Sequence, residues 1–165
     1  EINIVTKAQN MRYNRISEAI KLSKKPNSRT IILNDSIKYY NPGSNFTFFP
    51  TVGSYNAANN AGLIDNIKNE ELKRSLLNLY EHLYARVTYN GAILDERTGQ
   101  VEWESRRYWD ILEESYSFDK QAILKEDFLF QLGYLNRFIN IYLIRCNDTR
   151  SGIKEVLLSI DEYLN

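Results

Sequence analysis

A chain of 165 residues, 43% hydrophobic and 25% charged, suits one globular domain with a sizeable core. Aromatic residues make up 13% of it, including 12 Tyr, and that much ring area argues against disorder. Lys+Arg and Asp+Glu are both 21, so the formal net charge is zero and the basic footprint of a nucleic-acid binder is missing.

The chain opens at Glu1 without Met and enters a helical pattern at once, which predicts a fragment or processed form of a longer chain. Ile2, Val5, Met11, Ile16, Ala19, Ile20 and Leu22 form a partial helical stripe. Lys24-Lys25-Pro26 ends it, because basic residues in a last turn followed by Pro form a stop signal. All three prolines (Pro26, Pro42 and Pro50) fall in the next stretch, which reads as irregular. Within it, residues 29–33 are either a short strand or a helical turn, and residues 41–45 are a turn. Phe46, Phe48, Phe49 and Pro50 form an apolar plug across helix ends.

A short helix is predicted from near Thr51 or Ser54 to Gly62. Asn69 caps the next helix, whose first turn holds Glu70 and Glu71 where the dipole favours carboxylates. Leu72, Leu76, Leu79, Tyr80, Leu83 and Val87 recur at spacings of three and four and mark the clearest helix of the chain. The pattern runs past Gly91 and Ile93; residues 95–99 are expected to interrupt it and residues 101–116 to resume it. Phe128, Leu132, Leu135, Ile139 and Tyr142 start a last stripe, which continues after Asn147-Asp148 through Ile153, Val156, Leu157, Ile160 and Leu164. These narrow, heptad-like stripes predict a single all-α domain over residues 1–165. It is an antiparallel helical bundle with an irregular insertion, short-stranded at most, near residues 26–50. No apolar run reaches the roughly 18–20 residues that span a bilayer.

The chemistry is sparse. There is no phosphate-binding loop, no nucleophile elbow and no H-E-x-x-H. With Cys146 as the one cysteine and His82 as the one histidine, an intrachain disulfide is impossible and a structural zinc is not expected. His82 reads as an edge or surface residue and Cys146 as a partly buried structural thiol. Glu102, Glu104, Arg106 and Arg107 read as a solvated face, with a Glu102–Arg106 pair worth about 0.3–0.5 kcal/mol. The expectation is therefore a non-catalytic protein with no cofactor and no metal. The rival enzyme is a carboxylate-dependent hydrolase using Glu102 or Glu104 in a cleft lined by Trp103 and Trp109. Two groups stand out as ligand-binding candidates, although packing is the default reading of both. Trp103, Tyr108 and Trp109 offer aromatic walls. Tyr55, Asn56, Asn59 and Asn60, in a stretch of small and amide residues, offer polar groups that fix orientation.

The stretch Phe48-Phe49-Pro50 through Tyr55, then 61–67 with its small-Gly-Leu-x-x-Ile turn, then Leu72 to Leu79-Tyr80-Glu81, carries a resemblance. It resembles an uncharacterised family of bacterial proteins with one N-terminal transmembrane helix and a helical soluble domain. The match covers roughly residues 46–81, and the membrane helix has no counterpart in these 165 residues. The family brings no catalytic residues. The resemblance implies a membrane-tethered sensory or interaction domain on the periplasmic side of a bacterial inner membrane, binding a partner protein or small ligand. Neither partner nor ligand is identified, and a homo-oligomer stays open. The alternative is a soluble intracellular helical scaffold without a ligand pocket.

Overall fold

The structure is a computed structural model that describes residues 1–25, 27–34, 46–110 and 117–164. It is all-α, as the heptad-like stripes predict. Helix α1 (Ile2–Ser23) buries Ile2, Val5, Thr6, Gln9, Ile16 and Ala19 along one face. A short α2 (Arg29–Asn34) follows. Residues 46–52 run without helix into α3 (Gly53–Asn60). Gly62 ends that helix at φ 70°, with its N–H on the Asn59 carbonyl and the Leu63 N–H on the Ala58 carbonyl, both 2.9 Å. This paired closure satisfies two end carbonyls and needs a left-handed residue, which Gly supplies without strain. Helix α4 (Glu70–Leu77) starts at Asn69, whose Oδ1 accepts from the N–H groups of Glu71 and Leu72, both at 3.0 Å.

From α4 the helix continues without a break through a π turn (Asn78–Leu83) into α5 (Tyr84–Ser105). The sequence spacing explains the π turn. Leu72, Leu76, Leu79 and Leu83 step by four, three and four, and α5 buries Val87, Gly91, Leu94, Thr98, Val101 and Ser105 in a four-three alternation. From 79 through 83 to 87 the steps are four and four, one residue longer than a heptad. The Tyr84 N–H reaches back five residues to the Leu79 carbonyl, so the wider turn absorbs the extra residue and keeps both stripes facing inward.

Helix α6 (Glu126–Leu164) has 39 residues and spans about 58 Å. It is the axis of the fold. Its buried Phe128, Leu132, Leu135, Ile139, Tyr142 and Cys146 form the centre of the core. Helix α5 and the π turn before it run antiparallel to it, with Glu104 near Gln131, Gly91 against Tyr142 and, from the π turn, Leu83 against Gly152. An added Cβ on Gly152 would run into Leu83, so glycine there permits the close approach. On another flank α1 also runs antiparallel to α6. Ile20 faces Gly133, Asn136 Nδ2 donates to Ser17 Oγ at 2.8 Å, and Thr6 lies beside Cys146.

Of the two readings of residues 29–33, strand or helical turn, the structure takes the helical one, within α2. Other expectations are corrected. The strand pairing among the described residues is elsewhere: β1 (Trp109–Asp110) pairs antiparallel with β2 (Ser117–Phe118). Residues 95–99 do not interrupt the long helix. Asp95 and Thr98 turn their polar groups inward to Thr47 and Arg12, and Gly99 sits on the exposed face, where its cost is about 1 kcal/mol. The helix ends at Ser105, passes through a 3-10 turn (Arg106–Tyr108) and enters β1. Residues 111–116, which include Leu112 and Tyr116, lie outside the described residues, as do Pro26 and the turn at 41–45. Of the aromatic plug, Phe48 is buried while Phe46 and Phe49 stay exposed.

Candidate functional site

The structure separates the two groups of site candidates. Tyr55 of α3 is buried, stacked on Tyr80 with centroids 4.2 Å apart, and its hydroxyl donates to Glu81 Oε1 at 2.8 Å. Burial, with Glu81 beside it, pushes the Tyr55 hydroxyl up to about 12. Tyr55 thus anchors α3 to the π turn, while Asn56, Asn59 and Asn60 face solvent. Trp103 is 66% exposed, with the Arg106 guanidinium 3.7 Å above its ring centroid. Arg106 also donates to the Trp103 carbonyl at 2.6 Å, so it turns onto Trp103 and not onto Glu102. Tyr108 is buried edge-on against Phe128, with centroids 5.5 Å apart. Trp109 is placed by its backbone alone, on β1. Glu81 and Trp103 lie on one continuous helix about 33 Å apart along its axis, so the amides and aromatic walls do not share one pocket.

A cleft of about 750 Å³ opens between the last turns of α5 and the first turns of α6. Arg97, Gln100, Val101 and Glu104 line it from α5, at spacings that put them on one helix face. Across from them, Phe130, Tyr134 and Leu135 of α6 supply apolar surface. Phe130 is 74% exposed and Tyr134 45%. Tyr134 also meets Phe138 edge-on at 5.0 Å, and the Arg97 guanidinium sits 5.6 Å over the Phe138 ring. Of the residues that line it, Glu104, Glu126 and Asp127 are acidic and Arg97 is basic, and Arg107 pairs with Asp127 from beside the rim. Gln131 donates to Glu104, and Asp127 pairs with Arg107 at 2.5 Å, which holds these two carboxylates in place. An aromatic floor with a carboxylate rim suits a ligand that joins an apolar body to a cation. Phe130, Tyr134 and Phe138 were legible in the sequence as an i, i+4, i+8 aromatic row lying off the Phe128–Leu132–Leu135 core stripe.

A second polar group is partly buried between α1, α5 and residues 46–48. Thr47 Oγ1 donates to Asp95 Oδ2 at 3.0 Å, Arg12 Nη1 to Thr98 Oγ1 at 3.3 Å, and Gln9 Nε2 to the Phe46 carbonyl at 2.8 Å. Burial raises the Asp95 carboxyl, against the Thr47 hydrogen bond and the Arg12 charge that lower it. Next to it the Phe48 N–H donates to the Tyr142 hydroxyl at 2.6 Å. Burial raises both Tyr142 and the fully buried Cys146 thiol, a setting that suppresses thiolate chemistry. These groups tie residues 46–48 to α1, α5 and α6, a structural task. His82 lies on the exposed face of the π turn, 3.5 Å from Arg86. Among the described residues, no group of three His, Cys, Asp or Glu could hold a metal. Among the same residues, no helix is long and apolar enough to cross a membrane.

Residues 30–136, well over half of the chain, match the model of a family of unknown function, DUF6090. No curated protein matches the chain. No solved structure matches it either.

Proposed function

We propose that this chain, which belongs to the family of unknown function DUF6090, is a non-catalytic interaction domain that takes a segment of a partner protein into the α5–α6 cleft. One observation carries the reading. Phe130 and Tyr134 expose aromatic surface on the floor of a 750 Å³ cleft whose rim holds Glu104, Glu126 and Asp127. Exposed rings in a concave site are costly to leave wet and gain most when covered, which is how interface anchors behave. The acidic rim selects a segment that presents Arg or Lys beside an apolar side chain. On the resemblance of residues 46–81, the same proposal extends to a sensory role on a membrane tether outside residues 1–165, facing the periplasm.

The test is an amide-resonance titration with two capped heptapeptides, one of Leu and Arg and one of Leu and Glu. The proposal expects the Arg peptide to shift resonances of residues 97–104 and 126–135. It expects the Glu peptide to leave them in place, and Phe130→Ala with Tyr134→Ala to abolish the response. Equal responses to both peptides, or shifts that survive the double substitution, would refute it. A response to free small amines but not to peptides would favour a small ligand instead.

A further inference from the structure

We infer that the α5–α6 cleft takes a helical segment carrying a carboxylate and a cation one heptad apart, the carboxylate at Arg97 and the cation at Glu104; the inference rests on the reading of the cleft as a docking site given above. The cleft has two charged ends. At one end Glu104 accepts from Gln131, a neutral amide that fixes the carboxylate and leaves its charge in place. Glu126 stands exposed on the same rim, whereas Asp127 is already paired with Arg107. At the other end Arg97 lies over the Phe138 ring, 5.6 Å from its centroid, and donates through Nη1 to Gln100 Oε1 at 2.7 Å.

The chain itself leaves room at Arg97. Its side chain keeps 30% of its surface exposed. Glu96 lies 3.6 Å from Nη1, beyond hydrogen-bond length, and is itself 60% exposed, so that pair contributes little. A guanidinium carries five donors, and Gln100 takes one of them. Gln100 and the Phe138 ring hold the group in position, so an incoming carboxylate meets it without ordering a free side chain.

Spacing chooses the form of the segment. Arg97 and Glu104 lie one heptad apart on α5, and so do the residues they meet on α6, Phe138 and Gln131, about 10 Å along either axis. Both side chains leave α5 and lean towards its N-terminus, so the two charges keep that separation. In a helix laid along the groove, positions i and i+7 share a face and are also about 10 Å apart. In an extended strand, same-face positions fall at about 7 or 13 Å and miss one end or the other. Apolar side chains at i+3 and i+4 of the helix then cover Tyr134, which lies between the two levels, and its neighbour Phe130.

The test is an amide-resonance titration of the 165-residue chain with capped peptides of about 15 residues built on alanine and glutamine, long enough to be partly helical. One carries Glu, Leu, Leu and Arg at i, i+3, i+4 and i+7. A second has Gln in place of the Glu, and a third moves the Arg to i+5. The first should bind about threefold tighter than either of the others, the scale of a half-exposed ion pair. Arg97→Gln should erase its advantage over the Gln peptide. Arg97→Glu should bind best a fourth peptide with Arg at both i and i+7, a gain that a misfolded variant would not show. Equal affinities for the first and second peptides, or for the first and third, overturn the inference and leave the acidic-rim reading standing. An advantage that survives Arg97→Gln does the same. If no peptide moves residues 97–104 or 126–135, the docking reading fails and this inference with it.

Discussion

Replacing Tyr142 by Phe removes one oxygen from the centre of the fold. That oxygen accepts the Phe48 N–H at 2.6 Å and lies within reach of Cys146. Tyr142 is fully buried and Phe48 is 8% exposed, so water does not reach the freed N–H. The ring itself stays, and so does its packing against Gly91. The loss is therefore one hydrogen bond plus the desolvation cost of an unpaired amide, about 1–3 kcal/mol. In a domain of this size that lowers the melting temperature by about 2–12 °C, since 1 kcal/mol corresponds to roughly 2–4 °C. Thermal unfolding followed by circular dichroism, with urea unfolding at 25 °C alongside, would measure it. Hydrogen exchange at Phe48 should accelerate more than at amides in the middle of α5. A melting temperature within 1 °C of wild type, or unchanged protection of Phe48, would refute the idea that this contact pins residues 46–48 to α6.

Two further expectations follow from the long helix. Gly99 is exposed, helical and has nothing within 4 Å of an added Cβ, so Gly99→Ala should raise stability by about 1 kcal/mol in the same urea assay, and no gain would argue for a break at 95–99. Asp95 has a raised carboxyl in the fold, so its favourable contribution is complete below the ordinary carboxylate range and is lost as pH rises through its folded value. Asp95→Asn should therefore gain relative to wild type as pH rises above the ordinary carboxylate range, and a stability difference constant with pH would contradict that assignment.

The sequence by itself determined the helices. Apolar residues at threes and fours can bury a single face only as helix, so α1, the helix from Glu70 and α6 were legible before any coordinates. Local chemistry determined their ends where one or two residues suffice, as with Asn69 and Gly62. What tertiary structure alone decided is everything that depends on a partner distant in sequence. Residues 95–99 look like a loop because Asp, Thr and Gly are poor helix formers. In the fold they are helical, and two residues far away in the chain engage their polar groups: Thr47 donates to Asp95 Oδ2 and Arg12 to Thr98 Oγ1. Residues 29–33 could have been strand or helix, and they are helical within α2. The candidate site followed the same rule. Composition pointed to Trp103 and to the amides after Tyr55, but the continuous helix from residue 70 to residue 105 holds them far apart. Phe130 and Tyr134 meet Glu104 only because α6 turns back antiparallel along α5, a juxtaposition that no local pattern encodes.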